Sequence, residues 1–408
     1  MILAMVSLSA CTTFDSFKHT FIDKIADSDD NTIYFGVFEP QTGKYSDEGL
    51  SEIKGIELAN SIYNSVDGYK VELIKMDTQS STSAAETAIN GLIKMKPVAI
   101  IGSVGEAESL IAAKYVEKAK IPTIAPSSTN PLITQNCKYY FRASVTSAQM
   151  GAGIADYAVN KKHSNHIGIV TIKNDSNATA FLDGFNDKLN SLVEDKDNAI
   201  AFKTEVDVKS DDYSKVVENI RKKGADTVFV PLGTSMMDSF FTQMEKSGLT
   251  GVTFIGTRNW GNKDFVEMMK SHPSIKIAFP YEAILDSTTN AQETITEEAQ
   301  RFQIQYASQY GSKDMPTDSA ALGYDSYLLL INAIHNAGSI EGKDVRKALL
   351  NLNGVKCTTG VFQFDNSGNT VRTINISTIK KGKIVSIYRT KDTAEAKDIV
   401  GIEEQENE

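Results

Sequence analysis

Along the chain, short apolar runs alternate with longer stretches of helical periodicity. Thr32–Phe38 (TIYFGVF) is apolar almost throughout, the pattern of a strand covered on both faces. Leu50–Ser65 follows, with Ile53, Ile56, Ala59, Ile62 and Tyr63 recurring at helical spacing. Lys70–Met76 alternates as a strand. Ser83-Ala84-Ala85-Glu86 predicts a capping box that opens a helix running to Met95. Val98–Ile101 is then a strand, Ala107–Ala119 a helix and Pro122–Ala125 a strand.

The rhythm restarts after residue 145. Helices are expected at Ala148–Lys161, Ala178–Leu189, Asp212–Lys223 and Ser235–Ser247, between strands at Ile167–Ile172, Ala199–Glu205, Thr227–Pro231 and Thr253–Ile255. Ile275–Phe279 reads as a further strand. Helices follow at Ile295–Tyr310, Ser319–Ala337 and Asp344–Asn351, then strands at Gly360–Phe364, Thr373–Lys380 and Lys383–Tyr388. Strands separated by helical patterns of this length imply βαβ crossovers and parallel sheets covered on both sides. Two such series predict two Rossmann-like α/β lobes.

Composition supports a globular chain. The 408 residues suggest two to three domains, and 41% hydrophobic with 23% charged residues is ordinary usage. The net charge of −10 leaves no basic face for a nucleic acid. Met1–Ala10 is apolar and runs into Leu8-Ser9-Ala10-Cys11, which resembles a bacterial lipobox ending in the cysteine that carries the lipid. No Lys or Arg precedes Cys11, unlike an ordinary export signal. The alternatives are a buried first strand and a free cysteine. In the lipoprotein reading 1–10 is the signal, 11–31 a polar tether, and the protein a lipid-anchored one on the extracytoplasmic face of the membrane. Cys137 and Cys357 remain, either as a disulfide or as two buried free thiols.

Catalytic signatures are missing. His163 and His166 stand three apart without a zinc-spaced partner, and there is no Walker loop or Gly-x-Ser-x-Gly elbow. Gly151-Ala152-Gly153 lacks the rest of a dinucleotide fingerprint. Neither an enzyme, a cofactor nor a metal is indicated. What remains are loops at the C-terminal ends of predicted strands, where open α/β sheets place their ligands. These are Glu39–Gly49, Gly102–Glu106, Pro126–Pro131, Lys173–Thr179, Pro231–Ser235 and Gly256–Asn262. They offer Tyr45, Glu48, Ser103, Glu106, Ser127, Ser128, Thr129, Asn174, Asp175, Thr234, Arg258 and Trp260 as candidate ligand contacts. The hydroxyls of Ser127-Ser128-Thr129 can hold a carboxylate, or can simply cap a turn.

Several ordered stretches carry a resemblance. Gly36-Val37-Phe38-Glu39-Pro40-Gln41-Thr42-Gly43-Lys44-Tyr45, Ala99-Ile100-Ile101-Gly102-Ser103, Ile121-Pro122-Thr123-Ile124-Ala125-Pro126-Ser127-Ser128-Thr129-Asn130-Pro131, Tyr140-Phe141-Arg142 and Thr359-Gly360-Val361-Phe362-Gln363-Phe364-Asp365 are similar to the leucine/isoleucine/valine-binding family. These are substrate-binding proteins of bacterial branched-chain amino-acid ABC transporters, with the type I periplasmic-binding fold. The resemblance implies three crossings between lobes, near Ala143–Val145, Ala278–Glu282 and Thr359–Phe364. One lobe would be 32–143 with 282–358, the other 145–278 with 361–390, and 391–408 an acidic tail. Cys137 and Cys357 would then share the first lobe, which favours their pairing.

The same resemblance implies a monomeric receptor that binds an amino acid or related small polar metabolite and presents it to a permease. A sensor for a signalling partner is the alternative. The pocket departs from the family's pattern. The first-loop serine falls on Glu106, aromatic positions of the second lobe fall on Ser176 and Gly233–Thr234, and the acid that grips the ligand ammonium falls on Arg258. Glu106, Glu48 or Asp175 could replace that acid, Arg258 could receive an anionic group, or Arg258 could point to solvent or pair with Glu106. Trp260 could stack on the ligand or pack against the sheet.

Overall fold

The structure, a computed structural model, describes residues 31–173, 176–194, 199–207, 209–283, 297–312 and 314–390. Cys11 with its leader and tether, Asn174, Asp175 and the 391–408 tail lie outside the described residues. None of the described helices is long and apolar enough to cross a membrane.

Two sheets dominate. The first contains β1 (Thr32–Glu39), β2 (Ser65–Val66), β3 (Tyr69–Asp77), β4 (Ala99–Ile101), β5 (Thr123–Ala125) and β6 (Tyr140–Arg142), in the order β2-β3-β1-β4-β5-β6. All its neighbours run parallel except β2 against β3. The second contains β7 (Ile167–Ile172), β8 (Ile200–Val206), β9 (Thr227–Phe229), β10 (Thr253–Ile255) and β11 (Lys276–Pro280). A separate hairpin, β12 (Asn353–Cys357) with β13 (Gly360–Gln363), precedes β14 (Asn375–Lys380) and β15 (Lys383–Arg389). The last two strands complete the second sheet in the order β15-β14-β11-β10-β9-β7-β8.

Alternation along β1 divides its side chains between two cores. Phe35 and Val37 join a cluster with Leu328 and Ile331, whereas Phe38 joins Ile74, Ile89 and Ile100 on the opposite face. The helix Asp318–Ala337 is buried along nearly its whole length, as its apolar circumference demands. It packs closely on the helix Ser46–Ile62. A Cβ at Gly55 would fall 1.8 Å from the Ala320 carbonyl oxygen, and one at Gly323 would fall 2.4 Å from that of Glu52. Only glycine permits this approach, and it brings Glu52 and Asp318 to the same end of the helix pair.

The chain passes between sheets at Ala143–Val145 and again at Tyr281–Ala283. Its third passage corrects the expectation of Thr359–Phe364. β13 pairs with β12, Phe362 and Phe364 share a core with the helix Asp318–Ala337, and Asn369 bridges to Arg142 of β6. The crossing therefore lies at Val371–Ile374, and 361–370 stays with the first sheet. Two further expectations change. Cys137 and Cys357 are free thiols, because they are buried in clusters on opposite faces of the first sheet. Ser83 does not cap its helix: Thr82–Lys94 is preceded by Ser81, without a side-chain cap bond. A reciprocal capping box forms instead at Thr146 and Gln149.

Candidate functional site

The C-terminal ends of β1, β4 and β5 face those of β9 and β10 across a cleft of about 710 Å³. From the first sheet come Tyr45, Glu48, Glu106 and the run Ser127–Asn130. From the second come Pro231–Gly233 and Thr257–Asn259. Ser147, Met150, Phe181 and Ser319 complete the wall. Backbone polarity at strand ends thus meets a patch of thioether and phenyl surface from two helices, a combination suited to a small ligand with a polar head and an apolar body.

Of the residues anticipated from sequence, Tyr45, Glu48, Glu106, Ser127, Ser128, Thr129 and Arg258 line the cleft. Three do not. Ser103 is fully buried, its hydroxyl accepting the Gly105 N–H at 3.1 Å while its own N–H donates to Ser109. Thr234 opens a 3₁₀ turn, and Gly233 takes the place at the wall. Trp260 is fully buried and stacks on Phe265 at 4.9 Å between ring centroids, so the packing alternative holds. Gly256 makes room for that indole, since a Cβ there would fall 2.0 Å from the ring.

The hydroxyl loop is held from below. Ser144 Oγ donates to the Ser128 carbonyl at 2.6 Å, and Thr129 Oγ1 donates to Glu106 at 3.1 Å. Ser128 Oγ is buried without a partner among the described residues. A buried hydroxyl with no acceptor is costly, and a ligand group in the cleft would relieve that cost. Ser127 Oγ, by contrast, donates to Glu52.

Arg258 joins the two lobes. Its Nη1 donates to the Ser127 carbonyl at 3.0 Å, and its Nη2 lies 3.1 Å from Asp318 Oδ2. Glu282, at the second crossing, is 4.0 Å away. Neither a solvent-facing arginine nor a pair with Glu106 is found; the partner is Asp318. Burial alone would lower the guanidinium pKa, but the carboxylates of Asp318, Glu48 and Glu52 raise it instead. Asp318 itself sits in the first turn of its helix, where the helix dipole favours an anion, and its N–H donates to Tyr281 Oη at 3.1 Å.

Charge continues into the crossings. Glu282 pairs with Arg372, whose Nη1 donates to the Thr359 carbonyl at 2.9 Å. The N–H groups of Thr358 and Thr359 and the Thr359 hydroxyl all donate to Asp325, at 2.7, 2.8 and 2.7 Å. Burial pushes Asp325 up to about 7 and Arg372 down to about 9. Glu52, Asp318, Glu282 and Phe181 were not singled out by sequence reading. Glu52 had left a signal: it stands four residues before Ile56 on the apolar face of its helix.

A two-lobed α/β protein with three crossings and a ligand-sized cleft between parallel sheets has the type I periplasmic-binding architecture. Residues 32–383 match the periplasmic binding protein family, and the chain belongs to it. An amino acid binding protein of Pseudomonas aeruginosa is 25% identical over 223 residues, which cover 53% of this chain and 58% of that relative. The chain thus spans little more than half the length of this curated relative. Among solved structures, an isoleucine-bound branched-chain amino-acid transporter binding protein of Streptococcus pneumoniae superposes with a TM-score of 0.69. It is 22% identical and covers 87% of this chain and 99% of its own. A solute-binding protein of Rhodopseudomonas palustris, in complex with p-hydroxybenzoic acid, gives 0.70 at 18% identity, covering 88% and 97%.

Proposed function

We propose that the protein is a solute receptor of an ABC importer, anchored through a lipid on Cys11 at the extracytoplasmic face of the membrane. It binds an amino acid or a related small polar metabolite in the interlobe cleft and hands it to a permease. The observation that carries this reading is the hydroxyl loop Ser127–Thr129, with its unpartnered Ser128 Oγ, facing an arginine that crosses from the other lobe. Ser128 and Thr129 would take the ligand carboxylate. Glu48 and Glu106 stand on the same wall and would take its ammonium, replacing the acid whose usual place Arg258 occupies. Met150 and Phe181 would cover the side chain.

A second reading follows from Arg258 itself, which lines the cleft: a ligand carboxylate would take the place of Asp318 on its planar fork. In that case the solute is an anion without an ammonium, such as an aromatic acid. A thermal-shift screen with amino acids, dicarboxylates and benzoates separates the two. A ligand at 100 times its Kd stabilises by about 2.7 kcal/mol, a shift of several degrees for lobes of this size. Shifts with amino acids alone support the first reading, and shifts with benzoates alone the second. No shift with any compound would remove both.

A further inference from the structure

Two carboxyl groups lie beneath the hydroxyl loop, out of contact with the cleft. Glu39 ends β1 and Glu52 projects from the helix Ser46–Ile62; both are 0% exposed. The Val104 N–H donates to Glu39 Oε2 at 2.8 Å, and Ser127 Oγ donates to Glu52 Oε1. The remaining oxygens, Glu39 Oε1 and Glu52 Oε2, are buried without a hydrogen-bond partner among the described residues, although the Ser103 hydroxyl is close enough to Glu39 to lower it. Each carboxyl lies within reach of the other's charge. Two carboxylates only accept, so oxygens left without a donor can bond to each other only through a proton held between them. Two buried, adjacent carboxylates could not both be ionised without a large cost.

We propose that Glu39 and Glu52 are a proton-sharing pair that sets the direction of the Ser127 hydroxyl, and thereby the strength with which the cleft holds a carboxylate. The second half of this inference rests on the binding function proposed above; the first half does not. With one proton in the pair, Glu52 Oε1 is anionic and takes the Ser127 hydrogen. Ser127 then shows the cleft only lone pairs, which repel a ligand carboxylate. When a second proton reaches Glu52 Oε1, that oxygen becomes the donor to Ser127 Oγ, and the serine hydrogen turns to the cleft. Binding of a carboxylate is therefore coupled to uptake of one proton.

The groups around the pair support this order of events. Burial raises both carboxyls, Glu39 well above its ordinary value and Glu52 to about 7. Hydrogen bonds from Glu39 and Ser127 hold Glu52 lower than burial alone would. Glu48, on the same helix, raises it further, and Arg258, from the opposite lobe, lowers it. Asp318 pairs with that same Arg258, and Tyr140 on β6 adjoins Glu39. The first proton thus stays on the pair, and the second is exchanged near neutral pH.

The test uses the full chain and begins without ligand. Infrared spectra of the Asp325→Asn chain, recorded from pH 5.5 to 8.5, should show a carboxylic-acid carbonyl band that persists at pH 8.5 and grows as pH falls through about 7. Glu39→Gln and Glu52→Gln should each remove part of it. Ser127→Ala should raise the midpoint, because the Glu52 anion loses its donor. Absence of the band, or a midpoint unmoved in Ser127→Ala, overturns the proposal. Titration calorimetry in two buffers of different ionisation enthalpy then follows with L-isoleucine and p-hydroxybenzoate. Uptake of close to one proton is expected, with affinity falling about tenfold per pH unit above the midpoint. In Glu52→Gln, whose amide can donate to Ser127 permanently, both effects should vanish while binding persists. Proton-independent binding in the unsubstituted chain overturns the coupling. If neither probe binds, the proposed solute class fails, and the infrared arm alone decides the pair and its link to Ser127.

Discussion

Replacing Arg258 tests whether the two lobes are held by the bond between Arg258 and Asp318. Arg258→Met keeps most of the aliphatic bulk and removes two interactions, the 3.0 Å bond to the Ser127 carbonyl and the 3.1 Å contact with Asp318. Breaking a buried ion pair by removing one partner costs about 3–5 kcal/mol, because the other charge is left uncompensated. Here the arginine side chain is 16% exposed and the aspartate 11%, and both adjoin the cleft, so water recovers part of that cost. A loss of about 2–3 kcal/mol is expected, a fall in Tm of roughly 4–9 °C. Arg258 comes from one lobe and Asp318 from the other, so the loss should also favour the open clamshell and increase the radius of gyration in solution scattering. Asp318→Asn and the double variant complete a cycle, measured by denaturant unfolding. A coupling energy of about 1.5–3 kcal/mol is expected for a hydrogen-bonded charge pair. A coupling below about 0.5 kcal/mol, with an unchanged radius of gyration, would refute the latch.

Three further outcomes are expected. Asp325 and Glu52 have folded pKa values of about 7, above the ordinary carboxyl values of 3.8 and 4.5, so the folded state binds their protons more tightly than the unfolded chain does. Their contribution to stability is therefore full below about pH 4 and is lost as pH rises from there through about 7, at most about 1.4 kcal/mol per unit of pKa difference; Asp325→Asn should flatten the Tm profile between about pH 4 and 7, and an unchanged slope would count against it. With Cys11 replaced by serine, both remaining thiols should react with a thiol reagent only after denaturation, since burial pushes Cys137 up to about 12 and Cys357 well above its ordinary value; a fall in Tm on adding reductant would instead indicate a disulfide. Trp260→Ala should cost about 3–5 kcal/mol while ligand affinity in the surviving folded fraction stays within a few-fold, because the indole fills the core rather than the cleft.

The parts of the fold that sequence reveals are those whose signal is local. Thr32–Phe38 announces a strand covered on both faces, and the alternation of such runs with helices dictates two parallel sheets. Once the sheets are placed, their C-terminal loops bring Glu48, Glu106 and Ser127–Thr129 to one cleft. What escapes is pairing between distant segments. Gly360–Phe364 reads as a strand, but nothing within it says that its partner is Asn353–Cys357 rather than the second sheet. Arg258 stands out as a cation in a ligand loop, yet its partner Asp318 is fixed by close helix packing at Gly55 and Gly323. Cys137 and Cys357 belong to one lobe, and only the sheet between them shows that they do not meet. Glu52 occupies an apolar stripe, which marks it as unusual, but that it lies near Glu39 follows only from the packing of its helix on β1.

The most direct measurement is titration calorimetry of the chain with L-amino acids and aromatic acids, repeated with Ser128→Ala and Thr129→Val. One ligand class should bind with one-to-one stoichiometry, and each substitution should weaken it by at least about tenfold, the loss of a hydrogen bond to a charged group. Absence of binding by every compound, or binding that both variants leave intact, would contradict a receptor that holds its solute on this loop.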